Sequence, residues 1–229
     1  DTEIHEDDEE LIAEFSALKN HENCNVFLRK RTFDGKKYSG HERKRGAIMA
    51  LIRYLISGKD DEFAFILNKE HKKPVFIMTL DSDNTVITGT IKDMINIITH
   101  PYNAKYDLIN AHSRYNLFSV NTRFAKRFLS LAGVNAYPMY SGFYYNLLGK
   151  DIFCGKGIYR LKAFHNKLEG IFPSKKILSH DILEGAILST GSGATIFEDA
   201  PSSFLAERER RKRWIRGDIQ LLPFMFSKW

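Results

Sequence analysis

The sequence predicts an α/β protein built on a mostly parallel, Rossmann-like sheet flanked by helices, and three observations carry that expectation. Residues 74–80 (PVFIMTL) form an apolar run without helical period, rich in branched and aromatic side chains, as a buried parallel strand requires. The run stops at Asp81, and residues 88–99 then set Ile91, Met94, Ile95 and Ile98 on one helical face before Pro101 ends the segment. Strand, acidic turn and helix in that order make a βα unit, and such units assemble into parallel sheets covered by helices.

The other elements follow along the chain. Residues 8–19 begin acidic, which suits a helix start, and place Leu11, Ile12, Phe15 and Leu18 at helical spacing. Residues 25–30 read as a short strand, 32–40 as a polar loop, and 45–57 as a helix with Ala47, Ile48, Leu51, Leu55 and Ile56 on one face and Gly58 as its stop. Residues 63–67 are a further apolar run, and 118–131 carry a helical pattern rich in Phe, Arg and Lys. Residues 152–159 hold a tight turn at Gly155-Lys156-Gly157; 181–188 read as a helix, 191–194 as a small-residue turn, 195–198 as a short strand and 204–216 as a strongly basic helix. No repeat or linker interrupts the 229 residues, so a single domain over 1–229 is expected.

Composition narrows the class. A chain of this length buries roughly 70% of its extended surface on folding, enough for a core without disulfide or metal staples. Hydrophobic residues make 43% and charged residues 27%, and no apolar run approaches a membrane span, so this segment is expected to be soluble by itself. With no initiator Met and no signal pattern ahead of its acidic opening, it is expected to be a piece of a longer protein. Cys24 and Cys154 have neither metal-ligand spacing nor a disulfide framework, which points to a reducing compartment. The net charge is +6, yet seven of the 28 acids fall within the first ten residues; the remainder carries 34 basic against 21 acidic residues, a net +13. Such a body attracts a polyanion, an anionic membrane surface or a phosphorylated small molecule, and charge alone does not choose among them.

Three places carry chemistry. In Asp81-Ser82-Asp83, residues i and i+2 of an extended segment point to one side, beyond the carboxyl end of a strand, where open α/β sheets bind ligands. Two hard oxygen donors there suit Mg²⁺ or Mn²⁺ holding a diphosphate; the alternative is a polar turn. His180-Asp181 with Glu184 starts a helix, and Asp181 either caps it or accepts a proton from a sugar hydroxyl. The basic helix holds Arg208, Arg210, Arg211, Lys212, Arg213 and Arg216 around Trp214. It reads either as a solvated or nucleic-acid-binding face, or as Arg213 neutralising diphosphate beside a Trp214 platform for a sugar ring.

The order of these features, with the segments TLDSDNTV, THPYNAKYD, GKGIYRLKAF, LSHDILEG and RRKRWIRGDIQLLPF and with ERKRG at 42–46, resembles the glycosyltransferase domain of cyclic β-1,2-glucan synthases, a GT-A type with cellulose-synthase-like relatives. The resemblance runs from about Asp8 to the C-terminus. It implies a GT-A-like fold whose first, uracil-gripping strands would precede Asp1, and an inverting, UDP-glucose-dependent transfer assisted by Mg²⁺ or Mn²⁺ that elongates a β-1,2-glucan. The implied partners are the UDP-glucose donor, the glucan acceptor and the remainder of a large membrane-embedded synthase at the cytoplasmic face of the inner membrane, with no nucleic acid. By residue, it implies Asp81 and Asp83 for metal and donor, Lys44 of the donor-side Lys-x-Gly, and Arg213 at the diphosphate. Asp181 is the implied base, with Gly155, Gly157, Glu184 and Trp214 on the acceptor side. Departures are Arg210 in place of the Gln of Gln-x-x-Arg-Trp, Gly142 where an Asp is expected, and Arg160 and Lys162 in place of acids; they bear on acceptor or product specificity. Two other readings stand beside it: a non-catalytic basic module docking on RNA or an anionic membrane surface, and a degenerate transferase-like scaffold. Retention of Asp81, Asp83, Asp181, Arg213 and Trp214 together argues against the scaffold.

Overall fold

The structure, a computed structural model, describes residues 6–20, 23–33, 35–40, 42–69, 73–135, 145–171 and 177–225. The chain divides into two compact units, Asp1–Pro74 and Val75–Trp229.

The first unit contains α1 (Glu6–Ser16), β1 (Val26–Arg29), a small hairpin of β2 (Thr32–Phe33) and β3 (Tyr38–Ser39), α2 (Arg43–Ser57) and β4 (Phe63–Leu67). Strands β1 and β4 pair antiparallel, with Val26 opposite Leu67. Their core is aromatic: the Phe27 ring lies 5.3 Å from Tyr54 of α2 and 5.4 Å from Phe63 of β4, edge-on or tilted, an arrangement that adds to the burial of apolar area. Helix α2 ends as the sequence leads one to expect, at Gly58 with φ 77°, whose N–H returns to the Tyr54 carbonyl at 2.8 Å.

The second unit contains β5 (Phe76–Thr79), α3 (Thr90–Thr99), β6 (Leu108–Asn116), α4 (Arg123–Ala132), β7 (Gly157–Arg160), α5 (Leu161–Leu168), α6 (His180–Ile187), β8 (Thr190–Asp199) and α7 (Phe204–Met225). Its four strands form one sheet in the order β5-β7-β6-β8. The α/β class and the helix-flanked sheet are as expected, and the pairing is mixed: β6 and β8 are parallel, while β7 runs antiparallel to both β5 and β6. The apolar run read as a buried parallel strand is therefore an edge strand with an antiparallel neighbour, and Val75 at its start is 68% exposed. Helix α3 seals one face, where Met94 and Ile98 pack with Tyr106, Ile109, Ala111, Ile158 and Ile196, each at most 5% exposed. Tyr159 alternates to the opposite face and stacks on Phe164 of α5 at 4.4 Å. Among the described residues no helix is long and apolar enough to cross a membrane.

Three elements differ from the sequence expectation for physical reasons. Strand β6 carries Asn110, His112, Ser113 and Arg114, so it lacks the apolar alternation that marks a strand. Residues 191–194, read as a turn, lie within the ten-residue β8; a Cβ on Gly193 would stand 2.7 Å from Met94 Sδ, so glycine is what lets α3 lie against this strand. The helix expected from residue 118 begins at Arg123, because Thr122 caps it by accepting the Ala125 N–H at 3.0 Å.

Gly157 is required by the same kind of close approach: a Cβ there would press on the Ile109 carbonyl and stand 3.2 Å from Asn110 Cα. Gly157→Ala is expected to cost about 1–3 kcal/mol, read as a lower urea midpoint by circular dichroism. An unchanged midpoint would contradict this packing.

Candidate active site at the carboxyl edge of the sheet

The carboxyl ends of β5, β6 and β8 share an edge with the amino end of β7, because β7 alone runs the other way. At that edge the chain leaves β5 through a tight acidic turn. The Asp81 N–H donates to Asn84 Oδ1 at 2.7 Å, and the Asn84 N–H donates back to the Asp81 carbonyl at 3.1 Å. Thr85 then exchanges both backbone hydrogen bonds with Phe197 of β8, at 2.7 and 2.9 Å, which ties the turn to that strand. Asp81 is half-buried and Asp83 is exposed. Beside them Gly155 takes φ 80°, a conformation open to glycine, and its carbonyl accepts from the Thr79 hydroxyl at 3.3 Å.

Lys156, between the two glycines, is 4% exposed. Its Nζ stands 3.3 Å from Asp81 Oδ2 and 3.0 Å from Glu198 Oε2. Glu198, near the end of β8, is itself 4% exposed and lies 3.9 Å from an Arg210 nitrogen on α7. The Arg210 guanidinium also donates to the Tyr115 hydroxyl at 2.8 Å and to Glu207 at 2.9 Å, and it covers the Trp214 ring at 4.8 Å. A continuous series of charged contacts thus runs from Asp81 through Lys156, Glu198 and Arg210 to Trp214.

Asp181 opens α6. Burial pushes its carboxyl above the ordinary carboxylate value; His180 opposes that lift and Glu184 adds to it. Glu184, one turn later and 4% exposed, pairs with His180 Nδ1 at 3.1 Å. Helix α6 is seated directly on the segment that leads into the glycine turn, since a Cβ on Gly185 would stand 2.7 Å from Phe153 Cβ. The next residue registers the result: the Cys154 thiol is pushed up to about 12, by burial first, then by the charge of Asp181, with Lys156 opposing and Asp151 and Glu198 adding. Asp181, Lys156 and Glu198 therefore share one electrostatic neighbourhood around Cys154.

The structure thus brings Asp81 and Gly155 together and, through Arg210, links them to Trp214, while Asp181 is placed at the start of α6, and it adds Lys156, Glu198 and Arg210, which sequence reasoning had not given these roles. A sequence signal for Lys156 existed: it is the one charged residue between Ile152 and Tyr159. Arg213 is exposed on α7, Trp214 is half-buried, and Gly157 opens β7. Lys44 belongs to the first unit, half-buried in the first turn of α2. Gly142 lies outside the described residues. Among the described residues no three His, Cys, Asp or Glu side chains group as metal ligands.

No family model matches the chain. It is 28% identical, over a 249-residue alignment, to the cyclic β-(1,2)-glucan synthase NdvB of Rhizobium meliloti (strain 1021), a match covering 99% of this chain and 9% of that protein. The chain thus spans less than a tenth of that relative's length.

Arg210 holds two buried carboxylates, so Arg210→Met is expected to cost about 3 kcal/mol in urea unfolding, whereas Arg213→Met, on an exposed face, changes stability by no more than about 0.5 kcal/mol. Equal effects of the two substitutions would contradict the inward role of Arg210.

Proposed function

We propose that this chain is a GT-A-type glucosyltransferase segment of a larger membrane-embedded synthase. In this reading it takes glucose from UDP-glucose with Mg²⁺ or Mn²⁺ and elongates a β-1,2-glucan with inversion at the anomeric carbon, on the cytoplasmic side of the inner membrane. The observation that carries it is the assembly of Asp81, Lys156 and Glu198 at the sheet edge. The likeness to a glucan synthase over 99% of the chain supports the chemical class.

The donor end fits a divalent ion. Asp81 already attracts a cationic group at 3.3 Å, and Asp83 stands exposed two residues on. One or two carboxylates completed by substrate phosphates is the arrangement Mg²⁺ favours. An ion held by Asp81 and Asp83 would supply positive charge to the departing diphosphate. Arg213 adds charge from α7. Trp214, whose ring the Arg210 guanidinium covers at 4.8 Å, is the sugar platform of this reading.

On the acceptor side Asp181 takes the proton of the attacking hydroxyl. Burial raises its basicity, and His180 restrains the lift so that the ionised form stays available. Glu184, buried beneath His180, positions that imidazole. Gly155 and Gly157 keep the turn clear of side chains on either side of Lys156.

Calorimetric titration tests the donor site. UDP is expected to bind saturably with Mn²⁺, to lose binding with EDTA or with Asp83→Asn, and to bind Asp181→Asn as it binds the native chain. Native-like UDP binding by Asp83→Asn would sink the metal assignment. The pH dependence tests the base. Asp181 must be ionised to accept a proton, so transfer falls as pH drops through its pKa; with that pKa raised, the acid limb lies above the ordinary carboxylate range. His180→Gln removes the charge that lowers it, so the limb moves to higher pH; a shift to lower pH would show the assignment to be wrong.

A further inference from the structure

Lys156 is a buried cation placed against the carboxylate to which the donor reading gives the metal. Burying an ammonium between carboxylates carries a desolvation penalty that an apolar residue would avoid. The buried one of its two carboxylates, Glu198, has a second cation in Arg210 within 3.9 Å, so it does not depend on Lys156 alone. The backbone is nonetheless shaped to hold this side chain in place. Gly155 turns at φ 80°, Gly157 fits only without a Cβ, and the Lys156 carbonyl accepts the Ala111 N–H at 2.9 Å.

The two partners of the ammonium are unlike. Glu198 has a side chain 4% exposed and is anchored to α7, whereas Asp81 has a side chain 37% exposed on a turn. A divalent ion arriving at Asp81 from solvent meets a positive charge already 3.3 Å from the carboxylate oxygen, and the two repel. A diphosphate arriving with the ion brings the negative charge that accommodates both.

We propose that Lys156 is a diphosphate-binding residue: its ammonium stands in for the cation at Asp81 before the donor binds, and turns to a phosphate oxygen when the divalent ion takes that carboxylate. The inference rests on the nucleotide-sugar reading of this edge. It gives opposite signs to two affinities. Without nucleotide, Lys156 competes with the ion; with nucleotide, it contributes a charge-assisted hydrogen bond. A lysine that merely braced the sheet would move both affinities the same way.

The test uses the full chain, native, Lys156→Met and Lys156→Arg, with folding checked by circular dichroism. Free Mn²⁺ is read from its electron paramagnetic resonance signal without nucleotide, and UDP binding by calorimetry at saturating Mn²⁺. In Lys156→Met the affinity for Mn²⁺ alone is expected to rise about threefold or more. Its affinity for UDP is expected to fall about tenfold or more, and Lys156→Arg to restore it. Both affinities falling together, or neither changing while the native chain binds UDP, overturns the inference and leaves the nucleotide reading intact. No saturable UDP binding by the native chain removes that reading and the inference with it. Should Lys156→Met fail to fold, Glu198→Gln leaves the ammonium to Asp81 and weakens Mn²⁺ binding; unchanged or tighter binding in that variant is equally fatal.

Discussion

A buried ammonium at the end of a sheet persists only where carboxylates surround it, and much of the second unit is arranged around that requirement at Lys156. Asp81 is delivered by the turn after β5, and Glu198 by a strand long enough to reach the same edge. That length is permitted by glycine at 191 and 193, where any side chain would collide with Tyr106, Ile109 or Met94. Glu198 in turn fixes Arg210, and Arg210 fixes the Tyr115 hydroxyl, Glu207 and the Trp214 ring, so the docking of α7 is referred back to the same charge. The inner strand β7 completes the arrangement: it runs against its neighbours, which sets its first residue, Gly157, opposite Thr79 at the end of β5 and Asn110 within β6.

Much of the fold was legible because amphipathic helices and their stops are local. Helix α2 and its Gly58 stop, α3 before its Pro, and the Phe63–Leu67 strand stand where spacing places them. What stayed hidden depends on contacts across the chain. Strand β6 looks polar because Asn110 and His112 have partners supplied by distant segments, Asp151 and Ser192. Strand β8 looks like a turn because its glycines answer to α3, about a hundred residues earlier. The edge position of β5 follows from the insertion of β7, which no periodicity in residues 74–80 records.

The candidate site was legible to the same degree. Asp81 and Asp181 announce themselves by residue type and by position at the end of a strand and the start of a helix. Lys156 and Glu198 do not, because each is unremarkable until paired with the other across 42 residues. Arg210, one of six cations on a basic helix, reads as a departure at a Gln position, yet it is the one whose guanidinium bonds Tyr115. Its neighbours Arg211 and Lys212 instead pair along α7 with Glu207 and Glu209. Glu184 reads as a second acid beside Asp181; in the fold its partner is His180, which bears on the charge Asp181 feels.

The proposed function makes one chemical claim, that an acceptor hydroxyl loses its proton to Asp181 as the glucosyl group is transferred from UDP at the Asp81 edge. The most direct measurement is proton NMR of UDP-glucose incubated with the chain, Mn²⁺ and a soluble β-1,2-glucan. The account predicts a new β-anomeric doublet that grows as UDP-glucose is consumed and is absent with Asp181→Asn. An α-linked product, or a doublet that grows equally fast with Asp181→Asn, would contradict it.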